Sequence, residues 1–236
     1  MNIKKEPLPP LSMYSITAKL FTHLEKSVVS SFGIEGKKLL QLGVEHFGYK
    51  EAHDIAKQAA IEGEIHVLDK YIPENVTAQP KYGDLNIYGL MAKLFAQVTK
   101  AVVDEYGEQG KNAIREGVRT FGEERGRGIA ERAKYMNKDN TVDHYLSNYD
   151  MGRSDLFTYE NTFKPNMIEQ TFTRCPFGQQ WADDDMHEYG ILYCEMIDPA
   201  VARGYNPNFQ VVHDRYILKE GVCHFEFKLE AEQRND

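Results

Sequence analysis

The sequence predicts an α+β protein: a duplicated helical N-terminal half, then a small antiparallel sheet with one packed helix. Two observations carry this. The segment from Met13 aligns without a gap on the segment from Ile87, 74 residues later, and 20 of 60 aligned positions are identical. After about residue 150 the apolar spacing changes from three-and-four to two, which is the change from helix to strand.

Residues 1–12, with Pro7, Pro9 and Pro10, read as an extended leader. Copy 1 spans 13–72. Phe21, Leu24, Val28 and Phe32 recur at helical spacing, as do Phe95, Val98, Val102 and Tyr106 in copy 2, which spans 87–150. Gly33 and Gly107 stand where a helix C-cap favours glycine. A second helix in each copy carries Leu40, Val44 and Phe47, or Ile114, Val118 and Phe121, with Gly48 or Gly122 after it. A third carries Ile55 and Ala59, or Ile129 and Ala133, and the match extends to Asp69 and Tyr71 against Asp143 and Tyr145. Residues 73–86, rich in turn formers, link the copies.

The unit 151–236 reads as hairpin, helix, hairpin. "DLFTYENTFK" and "NMIEQTFTRC" flank Pro165–Asn166, and "FQVVHDRYILKEG" and "VCHFEFKLEAE" turn at Lys219–Gly221. On the last strand Cys223, Phe225, Phe227 and Leu229 share one face. Between the hairpins one helix is expected from Met186 to Ile197, capped by Asp183, Asp184 and Asp185 and bent or ended by Pro199. On it His187, Ile191, Cys194 and Asp198 fall on one face. His213 and His224 read as surface or hydrogen-bonded strand residues.

Composition limits the function. A net charge of −8 argues against a nucleic-acid partner. No run of eighteen apolar residues suggests a membrane span, and no secretory signal opens the chain. Three cysteines in such a chain predict reduced thiols and a cytoplasmic location. "GEERGRG" has neither the spacing nor the preceding strand of a dinucleotide fingerprint.

The chemistry-bearing residues lie in the second half. Cys175 ends a strand before Pro176, where a thiol is a packed filler, a nucleophile or a ligand. If the helix packs on the sheet, Cys175, His187, Cys194, Asp198 and Cys223 converge. A zinc site made by the three thiols with His187 as fourth ligand is one alternative, although no close paired spacing supports it. A non-catalytic small-molecule module, lined by Phe157, Tyr159, Phe163, Phe172, Phe177 and Trp181, is another. Arg115, Arg119, Arg125, Arg127 and Arg132 make either a solvated helical face or an anion site.

The ordered pieces "FGEERGRGIAERA", "TFTRCPFGQQW", "EYGILYCEMIDPAVARGYNPNF" and "YILKEGVCHFEF" resemble the L-2-amino-thiazoline-4-carboxylic acid hydrolase family over roughly residues 87–230. The C-terminal half more distantly resembles vinyl-reductase-related small-molecule-binding domains. The first resemblance implies a hydrolase that opens a cyclic isothiourea to a carbamoylated cysteine, with Cys175, Cys194, Asp198 and Cys223 at matching positions. Such chemistry needs a nucleophile, a proton carrier and a cation for the substrate carboxylate. Cys175 suits the first role, Asp198 or His187 the second, and Arg174 or Arg125 the third; Cys194 is counted with the catalytic residues and Cys223 with the substrate-binding ones. No cofactor is required by that route. The first copy has Glu51–Ala52 where the second has Arg125–Gly126.

Overall fold

The computed structural model describes residues 5–229. Residues 1–4 of the expected leader and 230–236 of the C-terminal unit lie outside the described residues. Helix α1 (Met13–Phe47) begins at Ser12, whose hydroxyl accepts from the Ser15 amide, and α2 (Tyr49–Ile61) follows Gly48. A 3-10 turn, Leu68–Tyr71, and an extended linker lead to α3 (Ile87–Tyr135), capped by Asn86. Then come α4 (Val142–Tyr145), a 3-10 turn at Leu146–Asn148, β1 (Thr158–Lys164) and β2 (Met167–Arg174). Helices α5 (Pro176–Asp183), α6 (His187–Cys194) and α7 (Ile197–Tyr205) precede β3 (Phe209–Arg215), the single turn α8 (Ile217–Glu220) and β4 (Cys223–Leu229).

The α+β architecture is as expected. The four strands form one antiparallel sheet in the order β1-β2-β4-β3. Its packed face carries Ile168, Phe172, Cys223, Phe225, Phe227, Phe209 and His213. One continuous apolar core runs from Met13 in α1 to Phe227 in β4.

Positions 74 apart make reciprocal contacts between α1 and α3. A Cβ on Gly43 would stand 2.6 Å from Val98 Cα, and one on Gly117 would stand 2.9 Å from Leu24 Cα. Phe32 stacks on Tyr106, its aligned partner, at 3.8 Å. Gly33 and Gly107 have positive φ, 59° and 53°, and kink the helices without ending them. Neither would clash through a Cβ, so backbone conformation rather than space calls for glycine there.

The symmetry stops at the next glycine. Gly48 breaks the chain at φ 132°, whereas Gly122, its counterpart, stays inside α3. Gly122 serves contact instead: a Cβ would meet the Ala200 Cβ at 2.6 Å, and one on Gly126 would overlap the Val201 carbonyl oxygen. Gly204 returns the contact from α7, packed against the backbone of Glu123. Helix α7 therefore lies on the bare backbone of α3.

Several details of the second half differ from the sequence reading. Three helices, not one, join the hairpins. Asp184 and Asp185 follow α5, and Asp184 accepts two bonds of 2.6 Å from the Lys93 ammonium rather than capping a following helix. The helix expected over 186–197 stops at Cys194. Pro199 falls in the first turn of α7, where its missing N–H costs nothing, and so starts a helix instead of ending one. The turn at Lys219–Gly221 is the end of α8, closed by Gly221 at φ 72°. Tyr159 and Phe163 are exposed, while Trp181 is core and donates to the Ala92 carbonyl (2.8 Å).

Substituting alanine at Gly126 is expected to destabilise the fold by about 3 kcal/mol through overpacking against α7. Gly128→Ala, whose added methyl meets open space, is expected to stabilise it by about 0.5–1 kcal/mol. Urea unfolding of the two variants checks this; equal effects would mean that α3 and α7 can separate without loss.

Candidate active site

Arg125 projects from the α3 segment that crosses α7 and is 5% exposed. It donates through Nε and Nη2 to both carboxylate oxygens of Asp150, at 2.9 and 2.6 Å. Its guanidinium also lies over the rings of Phe121 and Tyr149. The pair is buried on both sides, so removing either partner leaves an uncompensated charge. The Asp150 carbonyl in turn accepts from the Leu11 amide (2.7 Å). Arg132 fastens the same strap, donating to the carbonyls of Leu8, Pro9 and Asn148.

Asp198 lies in the first turn of α7. Burial pushes its carboxyl up to about 6, and the Arg125 charge pulls the other way. Its own charge is felt by Cys175, Cys194, Cys223, Tyr145, Tyr149 and Tyr193. Asp198 is thus the electrostatic hub of a cluster drawn from five elements.

Cys175, Cys194 and Cys223 lie within electrostatic reach of that carboxylate and of one another. Cys175 is the N-cap residue of α5, with Pro176 as the first helical residue. The amides of Phe177 and Gly178 favour its thiolate, although no side-chain cap bond is formed; burial outweighs them and pushes the thiol up to about 11. Cys194 closes α6, and burial followed by the other two thiols raises it well above the usual range. Cys223 faces inward from β4, accepts from the Ile217 amide at 3.2 Å, and is pushed up to about 12 by burial. All three are therefore protonated at neutral pH.

Cys175, Cys194 and Asp198 are half-buried by exposed area, yet desolvation leads the titration of each. Each is set in a dense surround just below the surface. A separate small gap between α1 and α3 has an almost wholly apolar lining, including Leu20, Phe21, Leu94 and Phe95. It offers little to a polar substrate.

His187 does not join the thiols. The chain breaks between α6 and α7, so the shared face ends at Cys194. His187 is exposed and stands 3.8 Å from Asp185. The zinc arrangement that used it as a fourth ligand is not assembled, and no group of three or more metal-ligating side chains occurs among the described residues. Arg174 ends β2 beside Cys175, exposed, its guanidinium without a partner among the described residues.

Four neighbours of the site were not singled out as site residues from the sequence. His213, expected to be a surface or hydrogen-bonded strand residue, turns inward and is hydrogen-bonded. Its Nδ1 lies 3.3 Å from the Cys194 carbonyl, which can only accept, so Nδ1 carries the proton. Its Nε2 is buried and unpartnered, and burial lowers the ring to about 4. Tyr145, Tyr149 and Tyr193 lie within reach of the Asp198 charge, all raised, first by burial. Tyr145 has a buried hydroxyl with no partner among the described residues. The Tyr71–Tyr145 match was visible, but nothing in it marked a free hydroxyl.

The Asp198 carboxyl has a folded pKa above its unfolded value of 3.8. Its ionisation therefore works against folding, and the penalty grows from about pH 4 to about pH 6. Asp198→Asn is expected to stabilise the protein by up to ~3 kcal/mol at pH 8 and not at all at pH 4. Urea unfolding at both pH values checks it; a pH-independent gain would mean that Arg125 already satisfies the carboxylate.

No helix among the described residues is long and apolar enough to cross a membrane. No curated protein and no solved structure is significantly similar to the chain. The family model described as L-2-amino-thiazoline-4-carboxylic acid hydrolase matches residues 88–227. The match begins in the first turn of α3, so α1 and α2 lie outside it, while Arg125, Asp150, Asp198 and all three cysteines lie within it. With more than half of its length matched, the chain belongs to the L-2-amino-thiazoline-4-carboxylic acid hydrolase family.

Proposed function

We propose that this hydrolase opens a small cyclic isothiourea bearing a carboxylate, of the 2-amino-thiazoline-4-carboxylate type, by a thiol-assisted route. The observation that carries this is that the three thiols and Asp198 lie within electrostatic reach of one another inside the matched residues. Membership in a hydrolase family implies a small-molecule substrate. Arg174, exposed beside Cys175, holds the substrate carboxylate; Arg125, committed to Asp150, acts on Asp198 instead.

With its thiol at about 11, Cys175 is not a resting nucleophile. Holding a thiolate there at pH 7 costs about 5 kcal/mol. The substrate offsets this cost, because its protonated isothiourea places a positive charge next to Asp198. In the first step the Cys175 thiol gives its proton to Asp198 and its sulfur bonds to the ring carbon. The carbon–sulfur bond of the ring then breaks, and Asp198 returns the proton to the leaving sulfur. In the second step water adds to the same carbon, Asp198 takes a water proton, and Cys175 leaves and is reprotonated. The product is a urea on a free-thiol amino acid.

We also infer that the helical half arose as two copies of one unit. The gapless alignment and the reciprocal Gly43 and Gly117 contacts support it. Copy 2 bears the site, and copy 1 braces it from a distance.

Purified protein mixed with L-2-amino-thiazoline-4-carboxylate is expected to release free thiol. Cys175→Ala is expected to lower kcat by at least about 10³-fold, the scale of losing a nucleophile. Full turnover by the variant would hand the attack to water activated by Asp198. Absence of release from the wild type would remove this ring as substrate.

A further inference from the structure

The Tyr145 side chain is held on every side except at its oxygen. Its ring packs against Tyr149 (5.6 Å), Tyr205 (5.1 Å), Phe209 (5.0 Å) and Phe227 (5.7 Å). The residue is 1% exposed, and its hydroxyl neither donates nor accepts a hydrogen bond. Buried hydroxyls seldom go unpartnered, because desolvation without a bond costs on the order of 1–3 kcal/mol. The charges that act on this one are Asp198, Arg125 and Asp150, along with the Tyr149 phenol. Asp198 is the carboxylate assigned the proton-carrying role above, and Arg125 and Asp150 are the buried pair beside it.

The aligned tyrosine shows what the fold does where no such group is kept free. Tyr71, 74 residues earlier, is also 1% exposed, and its hydroxyl donates to Glu25 at 3.2 Å. The position that corresponds to Glu25 is Thr99, whose own hydroxyl is buried and unpartnered. The helical half therefore has a ready way to satisfy a tyrosine here, and the half with the thiols lacks it.

We propose that Tyr145 is a catalytic hydrogen-bond donor of this enzyme, its free hydroxyl reserved for the oxygen of the urea group that hydrolysis creates. The inference rests on the reaction proposed above and deepens it. The oxygen of the attacking water becomes the urea carbonyl oxygen, whether the carbon is first carried on Cys175 or attacked directly. Charge builds on that oxygen as the tetrahedral adduct collapses, and a fixed donor in a dry site stabilises it more than bulk water does. Burial keeps the phenol protonated, so it donates a hydrogen bond without losing its proton. Asp198 moves protons, and Tyr145 holds the oxygen.

Tyr145→Phe tests this, because it removes an oxygen that makes no bond within the protein. The expected result is a melting temperature equal to or above that of the wild type, kcat lowered by about 10²-fold with KM little changed, and weaker binding of N-carbamoyl-L-cysteine by calorimetry. Tyr71→Phe is the control: it loses the bond to Glu25, so its melting temperature falls while kcat holds. Unchanged turnover and unchanged N-carbamoyl-L-cysteine binding in Tyr145→Phe would overturn the proposal. If the wild type fails to open the ring but binds N-carbamoyl-L-cysteine in a way that Tyr145→Phe weakens, the donor role stands and the ring assignment falls. If the wild type shows neither turnover nor binding, both fall.

Discussion

The site depends on one close crossing. Helix α7 lies directly on the backbone of α3, admitted by Gly122, Gly126 and Gly204. A single methyl at Gly126 would overlap the Val201 carbonyl and force the helices apart. That approach sets Arg125, from α3, within electrostatic reach of Asp198, from α7. It also fixes where the chain must leave α6 and where it must enter β3. The thiols follow, because Cys194 closes α6 and its carbonyl holds His213 on β3.

The two aligned helical segments show how one frame serves two ends. Where α3 has Arg125 and Gly126, α1–α2 has Glu51 and Ala52. Both charged residues are buried, and each holds a segment that follows its helix. Glu51 accepts from the amides of Lys81 and Tyr82, and Arg125 grips Asp150. The mechanical task is shared, but the sign is reversed. Only the arginine leaves a positive charge that can act on a carboxylate such as Asp198. Ala52 carries the methyl that Gly126 must lack, and no helix lies on bare backbone at that point of the first segment.

Much of this was legible in the sequence, and what was missed has physical causes. The helical stripes and the alternation of Cys223, Phe225 and Phe227 were legible because burial imposes a period on apolar residues. The elements that carry Cys175 and Cys223 were legible, a strand end and an inward strand face, whereas Cys194 and Asp198 lie on two helices and not on the one face expected. His187 misled because one continuous helix was assumed: the break at Glu195–Met196 has no strong local signal, and Pro199 was read as a stop when it is a start. Gly122 was expected to follow its helix, as Gly48 does, and only a partner helix distinguishes a glycine needed for contact from one needed for its dihedral angles. Tyr145 and His213 were invisible as site residues because a free hydroxyl or a free ring nitrogen is a statement about absent neighbours, which no single position encodes.

The groups around Asp198 share a thermodynamic character. Asp198 resists ionisation, the three thiols resist it more strongly, and Tyr145 and His213 keep buried polar atoms without partners. None of these helps the fold; each works against it to a degree that the large shared core of α1, α3 and the sheet absorbs. The same helical half satisfies Tyr71 with Glu25 and His23 with Thr120 and Glu124, yet it also keeps Glu51 Oε2, His66 Nδ1 and Thr99 Oγ1 buried without partners among the described residues. Unpaired polar atoms therefore do not mark the site by themselves; Tyr145 and His213 are distinguished by lying within reach of Asp198 and Cys194. Polar atoms left unsatisfied there favour a ligand that satisfies them. Under the proposed reaction, an isothiourea offers N–H donors to Asp198 and to the His213 lone pair, and its hydrolysis product offers a carbonyl acceptor to Tyr145. The complementarity that such a reaction requires changes from donors on the substrate to an acceptor on the product, and free groups of both kinds meet that change without rearranging.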